Sequence, residues 1–135
     1  MTSSRRFPND PNAVRAARTF AIHQLAGYSP EVLEVVELLV SELAGNCVRH
    51  TDASFEVRVS GDPQRIRVAV SDKGRGRPVA QHVDADALAG RGLALVEMLS
   101  SSWGVRTNPG FARGKSVWFV LELENGRDRD ARLVA

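Results

Sequence analysis

The sequence lacks a pair of cysteines and any long apolar run, and each shortage excludes a class of protein. Cys47 is the only cysteine, which excludes an internal disulfide and a cysteine-based zinc site. It lies on the apolar side of a predicted helix, so we interpret it as a small buried hydrophobic residue. No apolar run approaches the roughly 20 residues of a membrane span, and the N-terminus lacks the apolar core of a signal peptide. We therefore expect a cytoplasmic protein that binds no membrane.

An excess of one charge is also missing. The 18 lysines and arginines nearly balance 16 aspartates and glutamates, which leaves a net charge of +2. Because the basic residues are scattered, nothing in the charge pattern supports nucleic-acid binding. The length of 135 residues predicts a single domain with one core. We place this domain at 12–123, between a polar N-terminal extension at 1–11 and a polar, charged tail at 124–135.

The predicted secondary structure is two helices, a hairpin, a short helix and two further strands. In chain order these elements span residues 13–26, 30–50, 55–60, 66–71, 93–101, 103–107 and 115–123. Asn12 and Ser29 are the expected N-caps of the first two helices, and Arg5 to Phe7 form at most a short edge strand. The last strand is apolar on both faces near its middle, so we place it inside the sheet. The order predicts an α+β domain, a two-layer sandwich whose mixed, mostly antiparallel sheet is covered on one face by helices.

The second helix carries polar side chains where apolar ones are expected. Apolar residues recur at helical spacing and form its buried face: Val32, Val36, Leu39, Leu43 and Cys47. Glu42 lies within this apolar arc, and Asn46 and His50 follow it at four-residue steps. An unpaired buried carboxylate or amide costs on the order of a few kcal/mol. Local backbone at the edge of the core could satisfy them, but a bound Mg²⁺ with an anionic ligand fits better, because both groups offer hard oxygen donors.

Three further motifs end or open predicted elements. The second hairpin strand runs into the D-x-G-x-G motif of Asp72, Gly74 and Gly76, which alone is a weak signal because strands commonly end in Asp and Gly. Gly90-Arg91-Gly92-Leu93 opens a helix, whose N-terminal N–H groups and dipole suit a phosphate, although a tight turn explains it equally well. Gly114-Lys115-Ser116 opens the last strand.

Taken in order, these four motifs resemble the four boxes of the GHKL ATPase superfamily, which contains histidine kinases, gyrase-type ATPases, Hsp90 and MutL. Its Bergerat ATP-binding fold is a helix layer on a mixed sheet. Within this superfamily, the chain is most similar to the bacterial anti-sigma-factor serine/threonine kinases. The features that carry this similarity are the short length, the S-D-x-G-x-G-x-P motif at 71–78, the short loop before Gly90 and the Trp-Gly-Val segment at 103–105. The resemblance covers about residues 6–123.

The resemblance implies that the chain binds ATP and Mg²⁺. Asn46 would ligate Mg²⁺ through its side-chain oxygen, and Glu42 would be the general base. Asp72 would accept a hydrogen bond from the adenine 6-amino group, and residues 77–89 would form a lid over the nucleotide. The other residues that it implies in ATP binding are His50, Gly74, Gly76, Gly90, Arg91, Gly92, Leu93 and Ser116.

The resemblance also implies protein partners. These are a STAS-domain anti-anti-sigma protein, whose serine or threonine accepts the phosphoryl group, and a sigma factor that the same chain holds inactive. The resembled kinases are often homodimers. Two positions depart from the family: Gly45, where larger residues are usual, and Lys73, where neutral or polar residues are common.

Three alternatives to the kinase stay open. One is a non-catalytic ATP-sensing module that sequesters a regulatory partner, and the presence of Glu42 favours the kinase over it. Another is a detached histidine-kinase-like ATPase domain, which the sequence favours less because no dimerisation helix with a phospho-accepting histidine precedes the domain. The last is a generic α+β domain without nucleotide.

Overall fold

The fold is built from five strands and three helical segments in the part of the chain that the structure, a computed structural model, describes: residues 1–73, 93–107 and 114–124. In chain order the elements are β1 (Thr2–Phe7), α1 (Pro11–Gln24), α2 (Pro30–His50), β2 (Phe55–Asp62), β3 (Arg65–Asp72), α3 (93–99), β4 (Ser102–Thr107) and β5 (Lys115–Glu122). All the helices and strands predicted from the sequence are present among these residues. The turn predicted at 108–110 lies outside them.

The strands form one sheet in the order β1-β2-β3-β5-β4, and every neighbouring pair is antiparallel. The helices cover one face, so the predicted two-layer α+β fold is confirmed, with an antiparallel sheet in place of the mixed one. β5 lies inside the sheet, as its two apolar faces indicate. β1 is an edge strand, as predicted, but it begins at Thr2 rather than Arg5.

β1 is held to the domain by both backbone and aromatic contacts. Its register with β2 runs from Thr2 opposite Ser60 to Phe7 opposite Phe55. Phe7 is buried, and its ring stacks on that of Phe55 at 5.5 Å and meets the ring of Phe20 edge-on at 5.9 Å. This aromatic cluster explains why a polar N-terminal segment joins the sheet.

The two long helices begin at proline. Asp10, not Asn12, is the N-cap of α1, and its Oδ1 accepts a hydrogen bond from the Asn12 backbone N–H at 2.8 Å. The prediction of Asn12 was wrong because it overlooked Pro11, whose fixed φ suits the first helical position. Ser29 caps α2 as predicted, with Pro30 following it.

The core lies between the helices and one face of the sheet. The predicted apolar face of α2 is buried, and it packs against alternate residues of β2, β3 and β5, which include Phe55, Val57, Val59, Ile66, Val68, Phe119 and Leu121. On the opposite face of the sheet, the Arg67 guanidinium lies 5.3 Å from the centre of the Trp118 ring. A Cβ on Gly104 would come within 2.8 Å of that ring, so this position requires glycine. None of the helices in the described residues is long and apolar enough to cross a membrane.

Candidate functional site

A pocket lies between the C-terminal half of α2 and the adjacent parts of the sheet and α3. Its lining comes from α2 and the residue after it, β3, α3, β4 and β5: Leu43, Asn46, Cys47, His50, Thr51, Val70, Asp72, Leu93, Val105, Lys115 and Val117. Four of the predicted site residues therefore meet at one place: Asn46, His50, Asp72 and Leu93. Apolar walls with a few polar groups are typical of small-molecule sites.

The buried acid of this pocket is Asp72, the last residue of β3. It is only 4% exposed, and aspartate is rarely so buried unless it is paired. The Cys47 thiol lies 3.9 Å from its Oδ2, a long, weak S–H to carboxylate contact. Lys115 is its register neighbour on β5 and also lines the pocket. A buried carboxylate at the wall of a pocket is suited to accept a hydrogen bond from an amino group of a ligand.

Asn46 lies at the other side of the pocket and is half-buried. Its Oδ1 accepts a hydrogen bond from Arg49 Nη2 at 2.7 Å. Glu42, one turn earlier, is also half-buried but is not among the lining residues. Within the described residues the Glu42 side chain has no hydrogen-bond or ion-pair partner. Among the described residues, the predicted base is thus unpaired and lies outside the pocket lining.

Ser116 is not brought to the pocket. Alternate residues of a strand point to opposite faces, and Lys115 and Val117 share the pocket side of β5. The Ser116 hydroxyl instead pairs with that of Ser71 at 2.9 Å. Of the remaining predicted residues, Gly74, Gly76, Gly90, Arg91 and Gly92 lie outside the described residues, as does the predicted lid at 77–89.

Asn9, which was not among the residues predicted from the sequence, anchors the end of α2. Its side-chain N–H groups donate to the backbone oxygens of Cys47 at 3.3 Å, Thr51 at 3.0 Å and Ala53 at 3.0 Å. The Thr51 and Ala53 carbonyls lie just beyond the end of α2, and the Cys47 carbonyl also accepts the Thr51 backbone N–H that closes the helix. Asn9 therefore fixes the segment that carries Asn46 and the pocket wall. Its sequence context, Asn-Asp-Pro, indicates only a turn.

The described residues contain no group of three or more His, Cys, Asp or Glu side chains able to hold a metal ion. The donor set does fit Mg²⁺ that is shared with a phosphate ligand, since Mg²⁺ is usually bound by one or two protein oxygens together with substrate phosphates. Asn46 Oδ1 would be the protein oxygen.

Burial raises the pKa of the Cys47 thiol to about 12, and the negative charge of Asp72 adds to the effect while Lys115 opposes it. The thiol is therefore neutral at physiological pH and is a poor nucleophile. This agrees with the prediction of a buried, unreactive cysteine.

We expect Cys47→Ala to reduce the loss of stability at alkaline pH. The folded thiol titrates near 12 and an ordinary thiol at 9.0, so above pH 9 the unfolded chain binds fewer protons and the free energy of unfolding falls as the pH rises. At about pH 10.5 this loss is roughly 2 kcal/mol. Urea unfolding of the wild type and the variant at neutral and alkaline pH measures this loss of stability. All other groups titrate in both proteins, so the difference between the two losses belongs to Cys47. Equal losses in the two proteins would contradict the expectation.

The fold is an α+β domain with a pocket between its helix layer and its sheet. The sequence model of the histidine kinase-like ATPase domain family matches residues 7–121. The chain therefore belongs to this family, within the GHKL superfamily that the four motifs resemble.

Among solved structures, the chain is similar to the histidine kinase domain of the blue-light activated histidine kinase of Erythrobacter litoralis EL346. The two share 20% sequence identity with a TM-score of 0.46. The match covers 84% of this chain and 61% of that one, so this chain spans about three fifths of its length. The comparison with curated proteins gives no match.

Proposed function

We propose that the chain is an ATP-binding serine/threonine kinase of the anti-sigma-factor type. It would phosphorylate a STAS-domain anti-anti-sigma partner and regulate a sigma factor by switching between the two. The observation that carries the proposal is the pocket that joins buried Asp72 to the Asn46 amide in a chain of the histidine kinase-like ATPase family. GHKL ATPase domains bind ATP, usually with Mg²⁺, and the four motifs fit that use.

The proposed roles follow from the chemistry of each side chain. The Asp72 carboxylate accepts a hydrogen bond from the adenine 6-amino group, which favours adenine over guanine because guanine carries an acceptor oxygen there. His50, which also lines the pocket, would donate a hydrogen bond to a phosphate oxygen. Asn46 would hold Mg²⁺, which neutralises phosphate charge when it is bound. Glu42 takes the proton from the attacking hydroxyl group of the partner.

The acceptor hydroxyl must come from another protein in this proposal. A kinase of this type needs a serine or threonine presented beside the phosphates, and the STAS partner would supply it. The sigma factor would bind the same chain when the STAS protein is phosphorylated and released. The first test is to incubate the chain with labelled ATP and candidate STAS proteins. Label on a serine or threonine supports the kinase, and a chain that binds ATP but labels none of them contradicts it.

A second candidate function is a non-catalytic ATP sensor that sequesters a regulatory partner. The position of Glu42 outside the pocket lining favours it, since a sensor requires no base at the phosphates. The two functions differ in phosphoryl transfer and agree in nucleotide binding. Mg-ATP should therefore raise the melting temperature in both cases. At a ligand concentration 100 times the dissociation constant, binding should add about 3 kcal/mol to the free energy of unfolding. No rise at millimolar Mg-ATP would contradict both.

Asn46→Ala is expected to weaken ATP binding in the presence of Mg²⁺ and to change it little in the presence of a chelator. The variant removes the one side-chain oxygen that we assign to the metal, and the loss of one such ligand should lower the affinity for Mg-ATP roughly 10- to 100-fold. Isothermal titration calorimetry with and without Mg²⁺ measures both values. An equal loss under both conditions would show that Asn46 contacts the nucleotide or the fold rather than the metal.

A further inference from the structure

Arg49 and Gly45 form an unusual arrangement next to Asn46. The Arg49 side chain runs back along α2, in the direction that helical side chains prefer, and its guanidinium lies over Gly45. A Cβ built on Gly45 would be 3.1 Å from Arg49 Nη1. Gly45 is buried, although Glu37 and Arg49 on the same side of α2 are exposed. The missing side chain thus provides the space that the guanidinium occupies.

From this position Arg49 binds the oxygen that Mg²⁺ would need. Its Nη2 donates to Asn46 Oδ1 at 2.7 Å, a short distance typical of a charge-assisted hydrogen bond. A guanidinium has only donors, so the Asn46 amide must present its oxygen to it. A divalent cation on the same oxygen would lie next to the positive charge of the bound guanidinium, and Mg²⁺ accepts little distortion of its octahedral geometry.

We infer that Arg49 competes with Mg²⁺ for Asn46 Oδ1, and that Arg49 and Gly45 together set the Mg²⁺ concentration at which the chain takes up ATP. The inference rests on the proposed ATP site. Arg49 is exposed, so its bond to Asn46 opens readily in water. The apparent affinity for the metal is lowered by the fraction of molecules in which the bond is closed. Arg49 is in this view a positioning residue that acts through Asn46.

The test measures ATP binding by calorimetry over a series of Mg²⁺ concentrations, with a metal-free series in chelator. In Arg49→Ala we expect the Mg²⁺ concentration for half-maximal ATP uptake to fall about three- to tenfold. Gly45→Ala should shift it in the same direction but by less, because the added methyl group would lie 3.1 Å from Arg49 Nη1 and would push the flexible guanidinium aside only slightly. The double variant should behave like Arg49→Ala alone, since Arg49→Ala already removes the guanidinium on which the added methyl group would act.

Arg58→Ala is the matched control, because it removes an exposed arginine from β2 without touching the pocket lining. It corrects for the general effect of one lost positive charge on anion binding and should leave the Mg²⁺ midpoint unchanged. A midpoint in Arg49→Ala that stays the same or rises would overturn the inference while leaving the proposed function intact. A wild-type chain that takes up no ATP at any Mg²⁺ concentration would overturn both.

Discussion

Asp72→Asn should weaken ATP binding by roughly ten- to a hundredfold while the chain still folds. The substitution keeps the shape of the side chain and removes its charge, and a hydrogen bond to a charged group contributes about 1.5–3 kcal/mol. Asp72 is 4% exposed and lines the pocket, so little water screens this interaction. Calorimetric titration with ATP gives the affinity, and thermal unfolding without ligand shows that the variant is folded.

The preference for adenine over guanine tests the role of Asp72 more specifically than the affinity for ATP does. The wild type should prefer ATP to GTP, and Asp72→Asn should reduce this preference, because an amide can turn either its oxygen or its nitrogen to the base. Asp62→Asn is the matched control: Asp62 also ends a strand, but its Oδ1 only accepts the Gln64 and Arg65 backbone N–H groups of a turn. An Asp72→Asn variant with unchanged affinity and unchanged base preference would remove Asp72 from the adenine site.

Glu42→Gln should abolish phosphoryl transfer and leave ATP binding nearly unchanged. A general base contributes about 10²- to 10⁴-fold to the rate, and glutamine keeps the size of the side chain but cannot take a proton. The fold should tolerate the change, because Glu42 has no hydrogen-bond or ion-pair partner among the described residues. Labelling of the proposed STAS partner with radioactive ATP measures transfer, and calorimetry measures binding.

Glu37→Gln is the control for this variant. Glu37 lies on the same helix, but it faces α1, where its carboxylate is 3.8 Å from Arg18 Nε. Its loss should cost little stability, since exposed ion pairs contribute at most about 1 kcal/mol, and transfer should continue. Label that survives in Glu42→Gln would exclude Glu42 as the base. A wild type that binds ATP and transfers nothing would favour the sensor.

The sequence predicted most of the fold because its hydrophobic periods agree with its tertiary packing. The buried face of α2 and the alternation of β2, β3 and β5 are as expected, and all these patterns point to a single core. The errors lie at element ends, where several residues fit the same role. Asp10 and Asn12 are both good N-caps, and only Pro11 decides between them.

The sequence predicted only some of the residues that line the pocket, and the reasons are physical. Asn46, His50, Asp72 and Leu93 meet as expected because helix and strand geometry brings them together. Ser116 was predicted as a site residue from its motif alone. Strand alternation, however, puts Lys115 and Val117 on one face of β5 and Ser116 on the other, since neighbouring residues of a strand point to opposite faces. The contacts of Asn9 and Arg49 depend on side-chain conformations and on folded neighbours, which no local pattern specifies.

The first strand has a consequence for how this domain should be handled in the laboratory. With β1 in place, β2 is paired along both of its sides. A chain shortened to begin at residue 12 would leave one side of β2 with a bare row of N–H and C=O groups, a template for pairing between molecules. It would also lose Asn9 and the hydrogen bonds that this side chain donates to the backbone at the end of α2. Such a truncated protein should therefore aggregate more readily than the full chain. If it failed to bind nucleotide, that result would not test the pocket itself.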